Sequence, residues 1–225
     1  MSERVIAVTG GHGVLGRAVV EAALAEGCGV AVIDHASGHA VPDGVLELGG
    51  VDLTDPASAK AAIDAVVARF GRLDALLNIA GGFVWQATDD VEPAWERMFR
   101  LNLTTALNAS RAALPHLKAS PEGRIVNVGA NAAIRSAAGM GAYAASKAGV
   151  HRLTESLAEE LKETSVTVNA VLPSILDTAQ NRKDMPDADP AKWVRPSDLA
   201  AVMLFLASPA SRAITGALIP VTGRV

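Results

Sequence analysis

Short apolar runs alternate with amphipathic stretches along most of the chain. Val5–Thr9 reads as a strand, and Val14–Ala25 as the helix after it. Val30–Ile33 is a second strand and Val45–Val51 a third. Asp55–Pro56 opens a helix, since proline at the first helical position sacrifices no hydrogen bond. That helix runs to Phe70, and Gly71 ends it. Ala75–Asn78 is a fourth strand, followed by one long helix over Glu92–Leu114. Arg124–Val128 is a fifth strand. The next helix has Tyr143 near its start and continues to Lys162. Val166–Leu172 is the sixth strand, and Pro173–Pro190 a loop rich in Pro and Asp. Ser197–Ala207 is the last helix and Ala217–Val221 the last strand. Nearly continuous apolar strands predict burial on both faces. Their alternation with helices predicts an α/β fold, a doubly wound parallel β-sheet with helices on both faces. No linker or repeat divides residues 1–225, so a single domain is expected, with a substrate loop at about 173–195. Ligands of such sheets sit beyond the carboxyl ends of the strands.

Composition narrows the function classes. A chain of 225 residues that is 50% hydrophobic is enough for one well-buried domain. The net charge is −4, with no Lys/Arg run, so no nucleic acid or membrane partner is expected. Cys28 is the single cysteine, which excludes an intrachain disulfide and a cysteine metal cluster. The histidines lack metal-ligand spacing, so no metal is expected. No apolar run is long enough to span a bilayer, and nothing before Arg4 reads as a signal peptide. A cytoplasmic protein is the expectation.

The first strand ends in Thr9-Gly10-Gly11-His12-Gly13-Val14-Leu15-Gly16 and runs straight into a helix. Glycines there allow a tight turn and close approach of a pyrophosphate, which the helix N-terminus then favours. Between a first strand and a first helix, this pattern predicts dinucleotide binding. His12 is read as a loop residue beside the phosphates. Asp34 ends the second strand, where a carboxylate accepts from ribose hydroxyls and repels a 2′-phosphate. NAD(H) is therefore favoured over NADP(H). Asp52 and Leu53 follow the third strand and face the adenine edge. Asn78-Ile79-Ala80-Gly81 ends the fourth strand, where small residues admit a flat cofactor. Asn78 either touches that cofactor or pins neighbouring strands. Tyr143 and Lys147 lie four residues apart, hence side by side on a helix. A nearby ammonium lowers the pKa of a phenol and fits it for proton transfer to a carbonyl oxygen.

Thr9–Gly16, Asp52, Asn78–Gly81, Asn102, Tyr143–Lys147, Asn169–Pro173 and Thr215–Gly216 occur in an order that resembles the short-chain dehydrogenase/reductase family. The resemblance covers the whole chain. It implies a single-domain Rossmann fold and hydride transfer between nicotinamide and a carbonyl/alcohol carbon or an activated ring. It implies Tyr143 as the acid/base, with Lys147 holding the nicotinamide ribose and tuning Tyr143. It implies that Asn102 bends its helix and holds a relay water. Gly10, His12, Gly13, Val14, Leu15, Gly16, Ala80 and Gly81 would surround the cofactor. Pro173 and Leu176 would wall it, and Thr178 would contact its carboxamide. Family members are usually homodimers or homotetramers acting on small-molecule substrates.

Three departures stand out. Val14 replaces a usual glycine, Ser174 replaces the glycine that commonly follows the proline, and Ala130 stands where the family's serine is expected. Losing one oxyanion donor costs about 2.7–4 kcal/mol of barrier where that donor is used. Asn131 or Ser136 could substitute, the substrate could be easily reduced, or the protein could be a dinucleotide-binding sensor with little catalysis. Ala80–Phe83, Gly129–Ala133 and Met185–Asp189 are locally similar to dihydropteridine reductases, which lack this serine. Phe83, Trp85, Met140, Met185 and Trp193 form a candidate substrate wall, or else only pack the loops.

Overall fold

The computed structural model describes residues 4–90 and 94–225. Seven strands form one sheet: β1 (Val5–Thr9), β2 (Gly29–Ile33), β3 (Leu46–Leu48), β4 (Ala75–Asn78), β5 (Arg124–Val128), β6 (Thr167–Pro173) and β7 (Leu218–Val221). Their order is β3-β2-β1-β4-β5-β6-β7, and every pairing is parallel. The chain reverses its direction of travel across the sheet after β3. The switch point therefore lies between β1 and β4, and ligands of such sheets bind at its carboxyl edge.

Alternation along each strand divides the core. Ile6 and Val8 face a layer built by α1 (Val14–Ala25) and α7 (Pro196–Leu206). Val5 and Ala7 face the opposite layer, built by α2 (Pro56–Phe70), α4 (Thr105–Ala119) and α5 (Gly141–Glu160). Two-faced burial explains why the central strands read as apolar runs rather than alternating ones. Helix α2 starts as expected: Asp55 accepts from the N–H groups of Ala57 and Ser58, Pro56 follows, and Gly71 closes in the left-handed region.

Several expectations are corrected. The third strand shrinks from Val45–Val51 to Leu46–Leu48. It is an edge strand with one neighbour, and Gly50 turns the chain away at φ +74. The long helix is in three pieces, α3 (Ala94–Met98), a π-helical turn (Phe99–Thr104) and α4; its expected start at Glu92 lies outside the described residues. The Pro173–Pro190 loop holds a short helix, α6 (Ala179–Asp184), capped by the Thr178 hydroxyl, which accepts from the Asn181 N–H at 3.1 Å. No helix among the described residues is long and apolar enough to cross a membrane.

Candidate active site

The glycine turn is sterically closed. Gly10 has φ +67, and a Cβ there would lie 2.8 Å from the Ala80 backbone. A Cβ at Gly16 would run into the Gly10 carbonyl. Thr9 ties this turn to the end of β4, its hydroxyl accepting from the N–H groups of Ile79 and Ala80 at 3.1 Å. Helix α1 then begins at Gly13 with no side-chain cap. Its first N–H groups thus remain open to an incoming anion. These features fit a dinucleotide pyrophosphate: a backbone-only cradle at an uncapped helix start.

The turn opens into a cleft of about 1070 Å³, lined among others by Val14, Leu15, Asp34, Asp52, Leu53, Ala80, Gly81 and Leu176. Both oxygens of Asp34 face backbone donors, His12 N–H at 3.0 Å and Ala36 N–H at 2.9 Å. The carboxylate thus latches the glycine turn to the end of β2, with lone pairs left for ribose hydroxyls. Asp52 accepts from the Thr54 hydroxyl and N–H at 2.7 and 2.8 Å, and these bonds lower its pKa. The Asn108 amide donates to the carbonyls of Leu53 and Thr54, fixing this wall. Arg97 and Arg100 also line the cleft, and neither was expected. Their only sequence signal is charge at Glu96, Arg97 and Arg100, one turn ahead of Asn102.

Gly81 joins the cleft to the catalytic candidates. A Cβ built on it would lie 2.6 Å from Asn102 Oδ1 and 3.4 Å from Lys147 Nζ. Asn102 sits inside the π-helical turn. It accepts from the Gly82 N–H at 2.8 Å, and its amide donates to the Gly82 carbonyl at 3.1 Å and to the Ser146 hydroxyl at 2.9 Å. Lys147 donates to the Val128 carbonyl at 2.7 Å. The Phe83 ring meets Tyr143 edge-on, with centroids 5.0 Å apart.

The electrostatics differ from the expectation that the lysine lowers the phenol. Burial pushes the Tyr143 pKa up to about 12 and the Lys147 pKa down to about 8. Desolvation disfavours the charged form of each and is the cause of both shifts. Lys147 is then the group poised near neutral pH.

Other expected residues are placed as follows. Ala130 is buried, 2% exposed, and its N–H donates to His151 Nε2 at 3.4 Å. Asn131 opens a 3-10 turn, Asn131–Ala133. Ser136 is exposed and donates to the neighbouring Ala137 carbonyl. Asn78 pins strands: its amide donates to Ser110 Oγ at 3.0 Å and Asn127 Oδ1 at 2.8 Å. It is buried and lies off the cleft lining. Pro173 ends β6, and Thr178 is occupied as the α6 cap. Phe83 is 53% exposed. Trp85 is 61% exposed, covers Gly139 and donates to the Ala138 carbonyl at 3.1 Å. Met140 precedes α5 and Met185 follows α6. Trp193 is no exposed wall: it is 6% exposed, and its backbone lies against Gly223. Among the described residues, no His, Cys, Asp and Glu group could hold a metal ion.

Comparison with known proteins identifies the family and the fold. The short chain dehydrogenase family profile matches residues 4–189. A Mycobacterium tuberculosis protein, (5R,7aS)-5-hydroxy-7a-methyl-1-oxo-2,3,5,6,7,7a-hexahydro-1H-indene-carboxyl-CoA reductase, is 37% identical, covering 97% of this chain and 92% of its own. The 3-oxoacyl-acyl-carrier-protein reductase FabG of Vibrio cholerae is 31% identical, covering 98% and 96%. Among solved structures, the 3-ketoacyl-acyl-carrier-protein reductase of Brucella melitensis complexed with NADH superposes with a TM-score of 0.87. It is 26% identical and covers 99% of this chain and 98% of that one.

Proposed function

The chain belongs to the short chain dehydrogenase family, whose members are oxidoreductases, and from that premise we propose an NAD(H)-preferring reductase of a small carbonyl compound. A nicotinamide dinucleotide held by the Gly10–Gly16 turn would supply or receive the hydride. The Tyr143 hydroxyl gives its proton to the substrate oxygen in reduction and takes one back in oxidation. The Lys147 ammonium stabilises the phenolate left behind and, poised near pH 8, passes a proton on. Asn102 holds Gly82 and Ser146 in place beside that pair. Asp34 favours an unsubstituted ribose. Soluble cytoplasmic operation as a homodimer or homotetramer completes the reading, as in the family at large.

One observation carries it: Gly81 lines the dinucleotide cleft and lies within reach of both Asn102 and Lys147. That proximity supports reading the cofactor pocket and the proton-transfer residues as one site. The buried Ala130 supports a second reading, a dinucleotide-binding sensor with little catalysis. NADH binding, followed by NADH oxidation against simple ketones, a 3-oxoacyl thioester and a quinonoid dihydropterin, separates the two. Turnover of at least one compound is expected. Tight NADH binding with no turnover of any would favour the sensor. A clear preference for quinonoid dihydropterin would place the chain on the pteridine-reducing branch.

A further inference from the structure

Glu47 takes no part in proton transfer, yet it is tightly engaged at the adenosine end. It lies in the middle of β3, and its Oε1 is 3.1 Å from His12 Nε2. The His12 side chain is only 6% exposed. Asp34 holds the same residue a second time, through the His12 N–H at 3.0 Å. The His12 ring also packs on His39, with centroids 4.6 Å apart. Gly49 leaves room for the glutamate, since a Cβ there would lie 2.6 Å from Glu47 Oε1. A residue of the glycine turn is therefore held by carboxylates from two different strands.

An imidazole on that turn is the kind of donor that a phosphate on the ribose 2′ position would seek. Glu47 occupies the ring nitrogen and matches any positive charge the ring carries. The edge then presents two carboxylates to His12, Asp34 to its backbone N–H and Glu47 to its ring. His35 and His39 line the same cleft. Arg97 and Arg100 line it too, and Arg100 is directed to the Thr54 hydroxyl, at 3.3 Å, on the Asp52 side. We infer that Glu47 is a specificity-determining residue that sequesters His12 and so turns the site away from 2′-phosphorylated dinucleotides. This rests on the dinucleotide reading above and adds a second carboxylate to the part assigned to Asp34.

Binding alone tests it, with no substrate needed. ADP-ribose and its 2′-phosphate are titrated calorimetrically into the wild type and Glu47→Gln, which keeps an acceptor for His12 but removes the charge. The wild type is expected to bind ADP-ribose about tenfold or more tightly than the phosphorylated ligand. Glu47→Gln should narrow that ratio about three- to fivefold, the size of a solvent-screened charge pair, with ADP-ribose affinity within about twofold of wild type. Should glutamine impair folding, Glu47→Ala gives the same readout. An unchanged ratio in a folded variant, or equal loss of both ligands, overturns the inference while leaving the NAD(H) reading intact. A wild type that prefers the phosphorylated ligand overturns that reading first, and this inference with it.

Discussion

The proposed adenosine and hydride ends of the site are built on opposite electrostatic plans. At the adenosine end, carboxylates meet N–H and hydroxyl donors: Asp34 has two backbone donors and Asp52 has Thr54. At the hydride end, an ammonium and a phenol are buried so deeply that both are pushed towards neutrality, Lys147 to about 8 and Tyr143 to about 12. The first arrangement costs little and fixes shape, which suits recognition. The second holds groups that resist charge until a partner arrives, which suits proton transfer. Substitutions at the hydride end should therefore alter rate and pH response, whereas those at the adenosine end should alter affinity.

The largest expected effect is at Tyr143. Tyr143→Phe removes the only phenol in the chain. Turnover should fall about 10²- to 10⁴-fold, the usual worth of positioned general acid–base catalysis. NADH affinity, measured by fluorescence titration, should stay within about threefold. Full retained activity would remove Tyr143 from the mechanism. Unchanged turnover per bound cofactor with lost affinity would instead erase the contrast between the two ends.

Lys147 gives the next largest effect, and it appears in stability. Its folded pKa of about 8 lies below the unfolded value of 10.5. Below about pH 8 both states are protonated, so the full cost of burying the ammonium stands. Between pH 8 and 10.5 the unfolded state binds more protons, so stability rises with pH. The total rise is about 3 kcal/mol, from roughly 1.4 kcal/mol per pKa unit. Tyr143 acts oppositely, contributing stability that is lost only from about pH 10 to 12, so pH 8 to 10 isolates the lysine. Urea unfolding at pH 7.5 and 10 should show this rise in the wild type and not in Lys147→Met. Equal slopes in both proteins would mean that the ammonium is better solvated than its position implies.

The same contrast explains what the sequence made legible. The glycine turn was readable because each glycine answers a local steric demand, such as the Gly10 approach to Ala80. The placement of Asp34 at the cleft was readable because it follows directly on a strand end. The π-helical turn was legible only through the resemblance, which implies a bend at Asn102; its most evident support is tertiary, Asn102 bonding to Gly82, twenty residues away. Trp193 looked like an exposed wall because its loop position gives no sign of burial, yet it is 6% exposed. The Thr178 cap, and with it α6, hid in a run dense in Pro and Asp. The pKa direction at Tyr143 was misjudged for a similar reason. Four-residue spacing reports that two groups are neighbours, while burial depends on everything packed around them.

Ala130 gives the smallest expected effect and probes the hydride end most finely. It follows β5 one residue beyond Gly129, near the Val128 carbonyl that anchors Lys147. Its N–H is already bonded to His151, so a side-chain change there leaves the backbone anchored. Ser136 makes a poor substitute donor, being exposed and bonded to its neighbour's carbonyl. Ala130→Ser would supply one hydroxyl to a substrate oxygen that otherwise relies on Tyr143. A preorganised donor is worth about 10²- to 10³-fold, and one added to a shell not shaped for it should recover only part, about tenfold. That gain should appear in kcat on simple ketones and nearly vanish on a quinonoid substrate, whose ring is already easy to reduce. A gain on both substrates alike would mean that Ala130 limits turnover generally. A loss on both would make the position a packing site, closed to any side chain larger than a methyl.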